Sequence, residues 1–318
     1  MIICKTPLRI SFMGGGTDFS DFFNHHEGKV ISTTINKYMY VCLKESYKEI
    51  FLKYSKYENQ KHYKFIKHPI VRETLKYYNL NDVDIGSFCD IPSGTGLGSS
   101  SAFTLSLIST IQKLRGKSLN RKIICNLASE IEIDKVKSNI GYQDQYACCY
   151  GGLNEIIFNK KKIQVNKIEI NKTILSNFND HLFLLDTNIT RDASKILNYQ
   201  QKTSKQNIPI LLEILKLCDE FSISLKSSKF KQCGLLLNEN WKIKKSLSKK
   251  VSNQNLNQIY EDLIKNGVYG AKILGAGAGG FFLCIADPDK IKNIITKFKK
   301  FKVLKFKFDN QGSKLISF

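Results

Sequence analysis

Residues 90–102 read DIPSGTGLGSSSA and place three glycines, then three serines, at the start of a long apolar segment. Gly94, Gly96 and Gly98 can adopt positive φ, which lets the backbone approach a ligand closely. The serines can cap the helix that follows. Because the N–H groups at a helix N-terminus are unpaired and the helix dipole is positive there, this stretch predicts a phosphate-binding loop.

The segment after these glycines has the apolar spacing of a helix. Leu107, Ile111 and Leu114 recur every three or four residues, and Gly116 offers a C-terminal stop. The Walker A motif, G-x-x-x-x-G-K-[ST], needs a lysine after its last glycine, and Ser99 stands there in this chain. The nucleotide-binding fold that carries the Walker A motif is therefore excluded. A glycine-rich turn before a capped core helix remains the alternative to an anion site.

The composition is that of a folded protein with an excess of positive charge. The 318 residues suggest about two domains, and 42% of them are hydrophobic. A net charge of +21 would suit a nucleic-acid binder, but the lysines are spread along the whole chain and form no aromatic–basic module. We therefore do not expect nucleic acid as a partner. The positive field would instead attract anionic substrates such as nucleotides and sugar phosphates.

Cysteine usage and the start of the chain favour a cytoplasmic location. The nine cysteines are odd in number and include no C-x-x-C or Cys/His metal spacing, so reduced and mostly packed thiols are expected. The first twelve residues do not resemble a secretory signal, and no apolar run approaches the ~20 residues of a membrane helix. The adjacent His25 and His26 have no partners at metal spacing and are expected to face solvent.

Two further glycine segments and one isolated aspartate are candidates for function. The GGGTD segment (residues 14–18) ends a β-rich opening, and its alternative role is a turn whose aspartate caps the next helix. Residues 275–280 contain a literal G-x-G-x-x-G, but an apolar strand follows it. We therefore interpret it as a backbone platform rather than a dinucleotide fingerprint. Asp144 lies between two glutamines in an uncharged stretch, where it is either functional or a structural cap.

Hydrophobic periodicity predicts the remaining elements. The predicted helices cover residues 66–78, 120–131 and 256–264, with several more within 208–250. The predicted strands cover residues 2–13, 83–89, 181–186 and 281–287, one or two strands within 28–44, and a half-buried last strand around 304–308. A lysine- and asparagine-rich connection at 160–172 is the predicted domain boundary.

Three strings resemble the motifs of the GHMP kinase superfamily, which includes galactokinase, homoserine kinase, mevalonate kinase and phosphomevalonate kinase. They are PLRISFMGGGTD at 7–18, PSGTGLGSSSA at 92–102 and KILGAGAGG at 272–280. The strings GYQDQYACCYGG and TRDASKIL resemble, more narrowly, the bacterial D-glycero-D-manno-heptose 7-phosphate kinases. The resemblance spans nearly the whole chain and implies an α+β, two-domain fold. Residues 1–165 would form a ribosomal-protein-S5-like α/β domain that binds ATP, and residues 166–318 a ferredoxin-like α+β domain.

The resemblance also implies roles for particular residues. Asp144 takes the place of the catalytic base, and Arg9 that of a basic residue beside the reacting oxygens, where its cation favours the charged carboxylate. The residues expected to bind ATP are Pro92, Ser93, Gly94, Thr95, Gly96, Leu97, Gly98, Ser99 and Ser100. The residues expected to bind the sugar are Gly14, Gly15, Gly16, Thr17, Asp18, Arg191, Gly275, Gly277, Gly279 and Gly280, with Asp18 accepting from a sugar hydroxyl.

Two positions resemble the family's Mg²⁺ ligands. These are Ser100 and Glu132, and the spacing from Glu132 to the predicted base is one residue longer than in mevalonate kinase. Glu130 and Asp134 therefore stay open as alternatives to Glu132. Phosphoryl transfer needs positioning and charge neutralisation more than covalent chemistry, which backbone N–H groups and Mg²⁺ supply without a phosphate-loop lysine.

The implied activity is ATP-dependent phosphorylation of the anomeric C1 hydroxyl of D-glycero-D-manno-heptose 7-phosphate. The product would be the 1,7-bisphosphate, on the route to nucleotide-activated heptose for surface polysaccharide. Galactokinase-type enzymes carry Glu-His where this chain has Gly15 and Gly16, and two glycines remove a negative charge and open space for a longer, phosphorylated sugar.

Other functions on the same fold remain alternatives. One is a different sugar 1-kinase, similar to fucokinase or galactokinase, and another is a non-catalytic sugar sensor, which would not need Asp144 and Ser100. The expected partners are ATP and a small sugar phosphate, with neither nucleic acid nor membrane, and a homodimer is left open.

Overall fold

The computed structural model describes residues 1–189, 207–248 and 250–316 and has mixed α and β structure. The strands are β1 (Ile2–Met13), β2 (Gly28–Glu45), β3 (Ile50–Lys53), β4 (Tyr57–Gln60), β5 (Val83–Cys89), β6 (Asn154–Phe158), β7 (Ile163–Lys167), β8 (Leu182–Asp186), β9 (Val268–Ile273), β10 (Phe281–Ala286), β11 (Val303–Leu304), β12 (Phe308–Asp309) and β13 (Lys314–Ile316). The helices are α1 (Ser20–Phe23), α2 (Pro69–Tyr78), α3 (Ser99–Leu114), α4 (Arg121–Ser129), α5 (Gln143–Tyr150), α6 (Lys172–Asp180), α7 (Ile208–Lys226), α8 (Phe230–Ser246), α9 (Gln254–Lys265) and α10 (Pro288–Lys297). A 3₁₀ turn covers Tyr63–Phe65, and a π-helical turn, Glu130–Lys135, continues α4.

The 18-residue strand β2 is the centre of the N-terminal sheet. It pairs antiparallel with β1, β5, β6 and β12 along different parts of its length. The sheet has the order β13-β1-β2-β5-β3-β4, while β12 and β6 join through β2 and β7 joins through β6. The β-branched and aromatic residues predicted to form one or two strands therefore form a single one.

Helix α3 packs against β1 and β2. Leu105, Leu107 and Ile108 are fully buried, as expected for a helix whose residues are apolar or small on every side. Each such side chain contributes roughly 1.5–3 kcal/mol by leaving water. The hydroxyl groups of Thr6 on β1 and Ser106 on α3 lie 2.6 Å apart. The helix is therefore fixed along the strand, which holds its N-terminus beside the end of β1.

A second, antiparallel sheet has the order β11-β8-β10-β9. All six residues of its central strand β10 are buried. Trp241 on α8 is fully buried and packs edge-on against Phe282, with the ring centroids 6.1 Å apart. The predicted α+β fold class is confirmed, with the helix-rich second part of the chain built around this sheet.

Two element predictions were wrong in detail. The helix predicted over residues 66–78 begins at Pro69, because proline disfavours helical backbone in the residue before it. His68 instead caps the helix by accepting from the N–H of Val71 at 3.5 Å. The single last strand predicted around 304–308 is divided: β11 joins the second sheet, whereas β12 and β13 join the first.

The division of the chain between residues 165 and 166 stays a prediction, and the last two strands return across it to the first sheet. His25 and His26 were expected to face solvent. His25 is exposed, whereas His26 is half-buried and packs against the ring of Phe22. No helix in the described ranges is both long enough and apolar enough to cross a membrane.

Candidate active site

A cavity of about 260 Å³ lies where the GGGTD segment, the phosphate loop (residues 92–100) and the N-terminus of α5 meet. Residues from both halves of the chain surround it. They are Arg9, Gly15, Gly16, Asp18, Phe19, Gly94, Gly96, Gly98, Ser99, Ser100, Ser101, Glu132, Ser138, Asn139, Ile140, Gly141, Gln143, Asp144, Lys244, Gly275 and Ala276. The structure therefore brings together members of the three glycine segments, the acidic turn around Glu132 and the stretch around Asp144.

The phosphate loop enters α3 through a left-handed residue. Gly98 precedes the helix with φ +76°, and Gly94 and Gly96 also have positive φ, as predicted. A Cβ atom on Gly98 would lie 3.1 Å from Cγ of Arg9, so a side chain there would crowd the arginine. The predicted capping by serines is wrong: within the described residues, no side chain caps α3. The hydroxyls of Ser100 and Ser101 instead donate to a buried carboxylate.

Arg9 on β1 holds Asp144 on α5 in a two-bond pair. Its Nε and Nη2 donate to Oδ1 and Oδ2, each at 2.7 Å. Its Nη1 donates to the carbonyl of Gly96 at 2.5 Å. Burial disfavours the charged guanidinium, but the Asp144 carboxylate outweighs that effect and raises the pKa of Arg9. The pair fixes the carboxylate next to the phosphate loop, and 22% of the Asp144 side chain remains exposed.

Asp18 is a second carboxylate in the cavity wall. It is only 2% exposed and accepts from the backbone N–H groups of Gly16 at 3.0 Å and Gln143 at 3.3 Å. Burial raises its pKa, the charge of Asp144 adds to the rise, and the two backbone bonds oppose it. A Cβ atom on Gly141 would lie 1.9 Å from its Oδ2, so a side chain there would displace the Asp18 carboxylate. Asp18 does not cap α1, which was its alternative role.

Of the three acidic residues in the π-helical turn, Glu132 is the one that reaches the cavity. It is 1% exposed and accepts from Ser100 at 3.1 Å, Ser101 at 2.8 Å and Gln145 at 2.6 Å. Burial raises its pKa, and these three hydrogen bonds oppose the rise. By contrast, Glu130 pairs with Lys135 at 3.2 Å on the surface. Asp134, the third acidic residue of this turn, is also exposed to solvent.

Some predicted binding residues lie away from the cavity. Among the predicted sugar residues, Gly14 and Thr17 contact Lys29, while Gly277, Gly279 and Gly280 pack on the backbone of other loops. Among the predicted ATP residues, the side chains at positions 92 and 93 are exposed and those at 95 and 97 are buried. Arg191 lies outside the described residues.

Sequence reasoning missed Lys244, which lines the cavity from α8 although it is only 6% exposed. Its Nζ donates to the carbonyl of Gly275 at 2.5 Å. The sequence gives little signal for it, because it belongs to a helix with several lysines. Behind it, Lys272 on β9 is buried and donates to the carbonyl of Phe12 at 2.7 Å. Burial, and then the charge of Lys244, place the pKa of Lys272 well below its ordinary value.

The site has the parts of a phosphotransferase. A loop suited to anions leads into a helix N-terminus, a buried acid is hydrogen-bonded to two hydroxyls of that helix, and a second carboxylate is held by an arginine at the same cavity. A site with these parts is suited to binding phosphates, neutralising their charge and accepting a proton from a hydroxyl.

Known proteins agree with this class. The model of the GHMP kinases N terminal domain matches residues 64–152, and that of the GHMP kinases C terminal matches residues 223–303. The chain is 33% identical to the D-glycero-alpha-D-manno-heptose 7-phosphate kinase of Campylobacter jejuni, over 98% of this chain and 97% of that protein. The chain therefore belongs to the GHMP kinases. The predicted family and the predicted enzyme class are confirmed.

Solved structures match along the whole chain. A putative sugar kinase from Campylobacter jejuni is 30% identical, with a TM-score of 0.79 over 99% of this chain and 98% of the other. A D-glycero-D-manno-heptose 1-phosphate kinase from Bacteroides thetaiotaomicron has a TM-score of 0.83 over 100% and 99% of the two chains. At 20% identity, the second match bears on the fold alone. The predicted GHMP kinase fold is confirmed.

Proposed function

We propose that the protein transfers the γ-phosphoryl group of ATP to the anomeric C1 hydroxyl of D-glycero-D-manno-heptose 7-phosphate, giving the 1,7-bisphosphate. This product would lead to nucleotide-activated heptose for surface polysaccharide. The main observation in support of phosphoryl transfer is the Arg9–Asp144 pair, which lines the same cavity as the phosphate loop. The choice of sugar rests on the 33% identity to a heptose 7-phosphate kinase and on the lack of a side chain at Gly15.

Asp144 is the proposed base, which receives the proton of the sugar hydroxyl. Each of its oxygens accepts one N–H from Arg9, and a carboxylate oxygen has two lone pairs, so the pair leaves acceptor capacity on both oxygens. The arginine also fixes the carboxylate relative to Gly96 in the phosphate loop. A base positioned in this way is typically worth 10²- to 10⁴-fold in rate. Asp18, fixed by two backbone N–H groups, would orient another sugar hydroxyl.

The ATP phosphates would lie on the N-terminus of α3, where no described side chain competes for the N–H groups. Glu132 and Ser100 are the residues that would hold Mg²⁺. Their chemistry fits, because Glu132 is a buried carboxylate whose pKa is raised by burial, and a divalent cation would compensate its charge. No cluster of three acidic, histidine or cysteine ligands occurs among the described residues, but Mg²⁺ usually takes one or two carboxylates together with substrate phosphates. When bound, the ion neutralises charge on the phosphates.

A cytoplasmic location, where ATP is available, is part of the proposal. All nine cysteines are free thiols, which suits a reducing compartment. ATP and the sugar phosphate are the proposed partners, and a homodimer is left open.

A substrate panel tests the proposed reaction. The protein, ATP and Mg²⁺ are incubated with heptose 7-phosphate, phosphate-free heptose, galactose and fucose, and ADP release is followed. Phosphorus NMR then locates the new phosphate. We expect turnover mainly with heptose 7-phosphate and a new phosphate at C1. Turnover confined to galactose or fucose would refute the proposed sugar, and no turnover with any sugar would favour a sensor.

A further inference from the structure

Lys244 lies at the end of the cavity that the GGGTD segment borders. It reaches the cavity from α8, in the second half of the chain, together with Gly275. A Cβ atom on Gly15 would lie 3.7 Å from its Nζ, and no other atom of the described residues, its chain neighbours aside, would be within 4 Å. Among the described residues, no side chain therefore separates residue 15 from this ammonium group.

Lys244 places an ammonium group at this end of the cavity. A negatively charged group of a ligand would therefore be attracted to the space between Gly15 and Lys244.

We propose that Lys244 binds the distal phosphate of the sugar substrate and so selects a phosphorylated sugar; this rests on the proposed function. An ammonium group has three N–H donors, and the bond to Gly275 orients it toward the cavity wall. Hydrogen bonds between an ammonium and a phosphate are charge-assisted and among the strong ones. Asp18 lies three residues from Gly15, so one loop would hold a sugar hydroxyl and leave room for the phosphate beyond it.

The test compares wild type, Lys244→Met and Lys244→Arg on heptose 7-phosphate and on phosphate-free heptose. Methionine keeps much of the side-chain length without the charge, and arginine keeps the charge. For Lys244→Met we expect KM for the phosphorylated sugar to rise ~10- to 10²-fold, as for the loss of a charged hydrogen bond, with a smaller change in kcat. KM for ATP and the rate on phosphate-free heptose should change less than about threefold. Lys244→Arg should retain most of the preference for the phosphorylated sugar.

A purely structural role for Lys244, as support for the carbonyl of Gly275, predicts a different result. Both sugars would then lose rate equally, and that outcome would overturn the inference. Lys244→Gln replaces Lys244→Met if the latter melts well below wild type, and calorimetric binding of heptose 7-phosphate without ATP gives the same comparison without turnover. If wild type has no preference for the phosphorylated sugar, the proposed substrate fails and this role fails with it. If wild type has the preference and the neutral variant keeps it, only the role of Lys244 fails.

Discussion

Replacing Gly15 by glutamate should make the end of the cavity beside Lys244 repel a phosphorylated sugar. The backbone at Gly15 is not left-handed, and among the described residues a Cβ atom there would meet only Nζ of Lys244, at 3.7 Å, so a side chain fits at this position. With an effective dielectric constant of about 20, two like charges about 5 Å apart cost roughly 3 kcal/mol, or on the order of 10²-fold in kcat/KM. An ion pair between the new carboxylate and Lys244 would act in the same direction, since it would withdraw the cation from the substrate.

The assay for Gly15→Glu measures kcat/KM on heptose 7-phosphate and on phosphate-free heptose, with Gly15→Gln as the matched neutral control. The glutamate variant should lose about 10²-fold on the phosphorylated sugar and much less on the other. The glutamine variant reports the steric effect alone. Equal losses in both variants, or equal losses on both sugars, would show that the distal phosphate does not lie near Gly15.

Three further results are expected from the site geometry. Asp144→Asn, nearly isosteric but unable to act as a base, should lower kcat at least ~10²-fold in steady-state assays and leave KM for ATP nearly unchanged. Glu132→Ala should need much more Mg²⁺ for half-maximal rate, whereas Glu130→Ala should titrate like wild type; the reverse pattern would reassign the ligand. Burial raises the pKa of Asp18 above its ordinary value of 3.8, so the folded state binds a proton at this carboxyl more tightly than the unfolded state does. The contribution of Asp18 to the free energy of unfolding therefore falls as pH rises from 3.8 to the raised pKa. Asp18→Asn should remove that fall in stability with pH and weaken sugar binding; a variant whose Tm falls with pH over this window as in wild type would contradict it.

Local sequence pattern predicted the elements whose burial is uniform along their length. Helix α3 and strand β10 are buried on nearly every side, so an apolar run identifies both. The final strands could not be predicted in this way. Residues 303–316 are divided between two sheets, and the choice of partner strand depends on packing between residues more than 100 positions apart rather than on local alternation.

The cavity residues were predictable where the chain offered only one candidate of the right chemistry. The three glycines of the phosphate loop and the isolated Asp144 are of this kind. The choice among three nearby acids was left open, although one signal was available: Glu132 follows Ala128 by four residues and Ile124 by eight, and both are buried. The π-helical turn also changes which side chains share a face, and residue spacing at the α period cannot anticipate it.

The two halves of the chain contribute different parts of the site. The proposed base, its arginine and the proposed metal ligands all come from the first half. The end of β1 is nevertheless held by the second half, because Lys272 donates to the carbonyl of Phe12 at 2.7 Å and Nδ2 of Asn240 lies 3.3 Å from Sδ of Met13. The GGGTD segment follows Met13 directly, so these buried contacts fix its end of the cavity, where the sugar is proposed to bind, relative to Lys244. If the residues have the proposed roles, substitutions on α8 and β9 should change which sugar binds. The groups that perform phosphoryl transfer should stay in place.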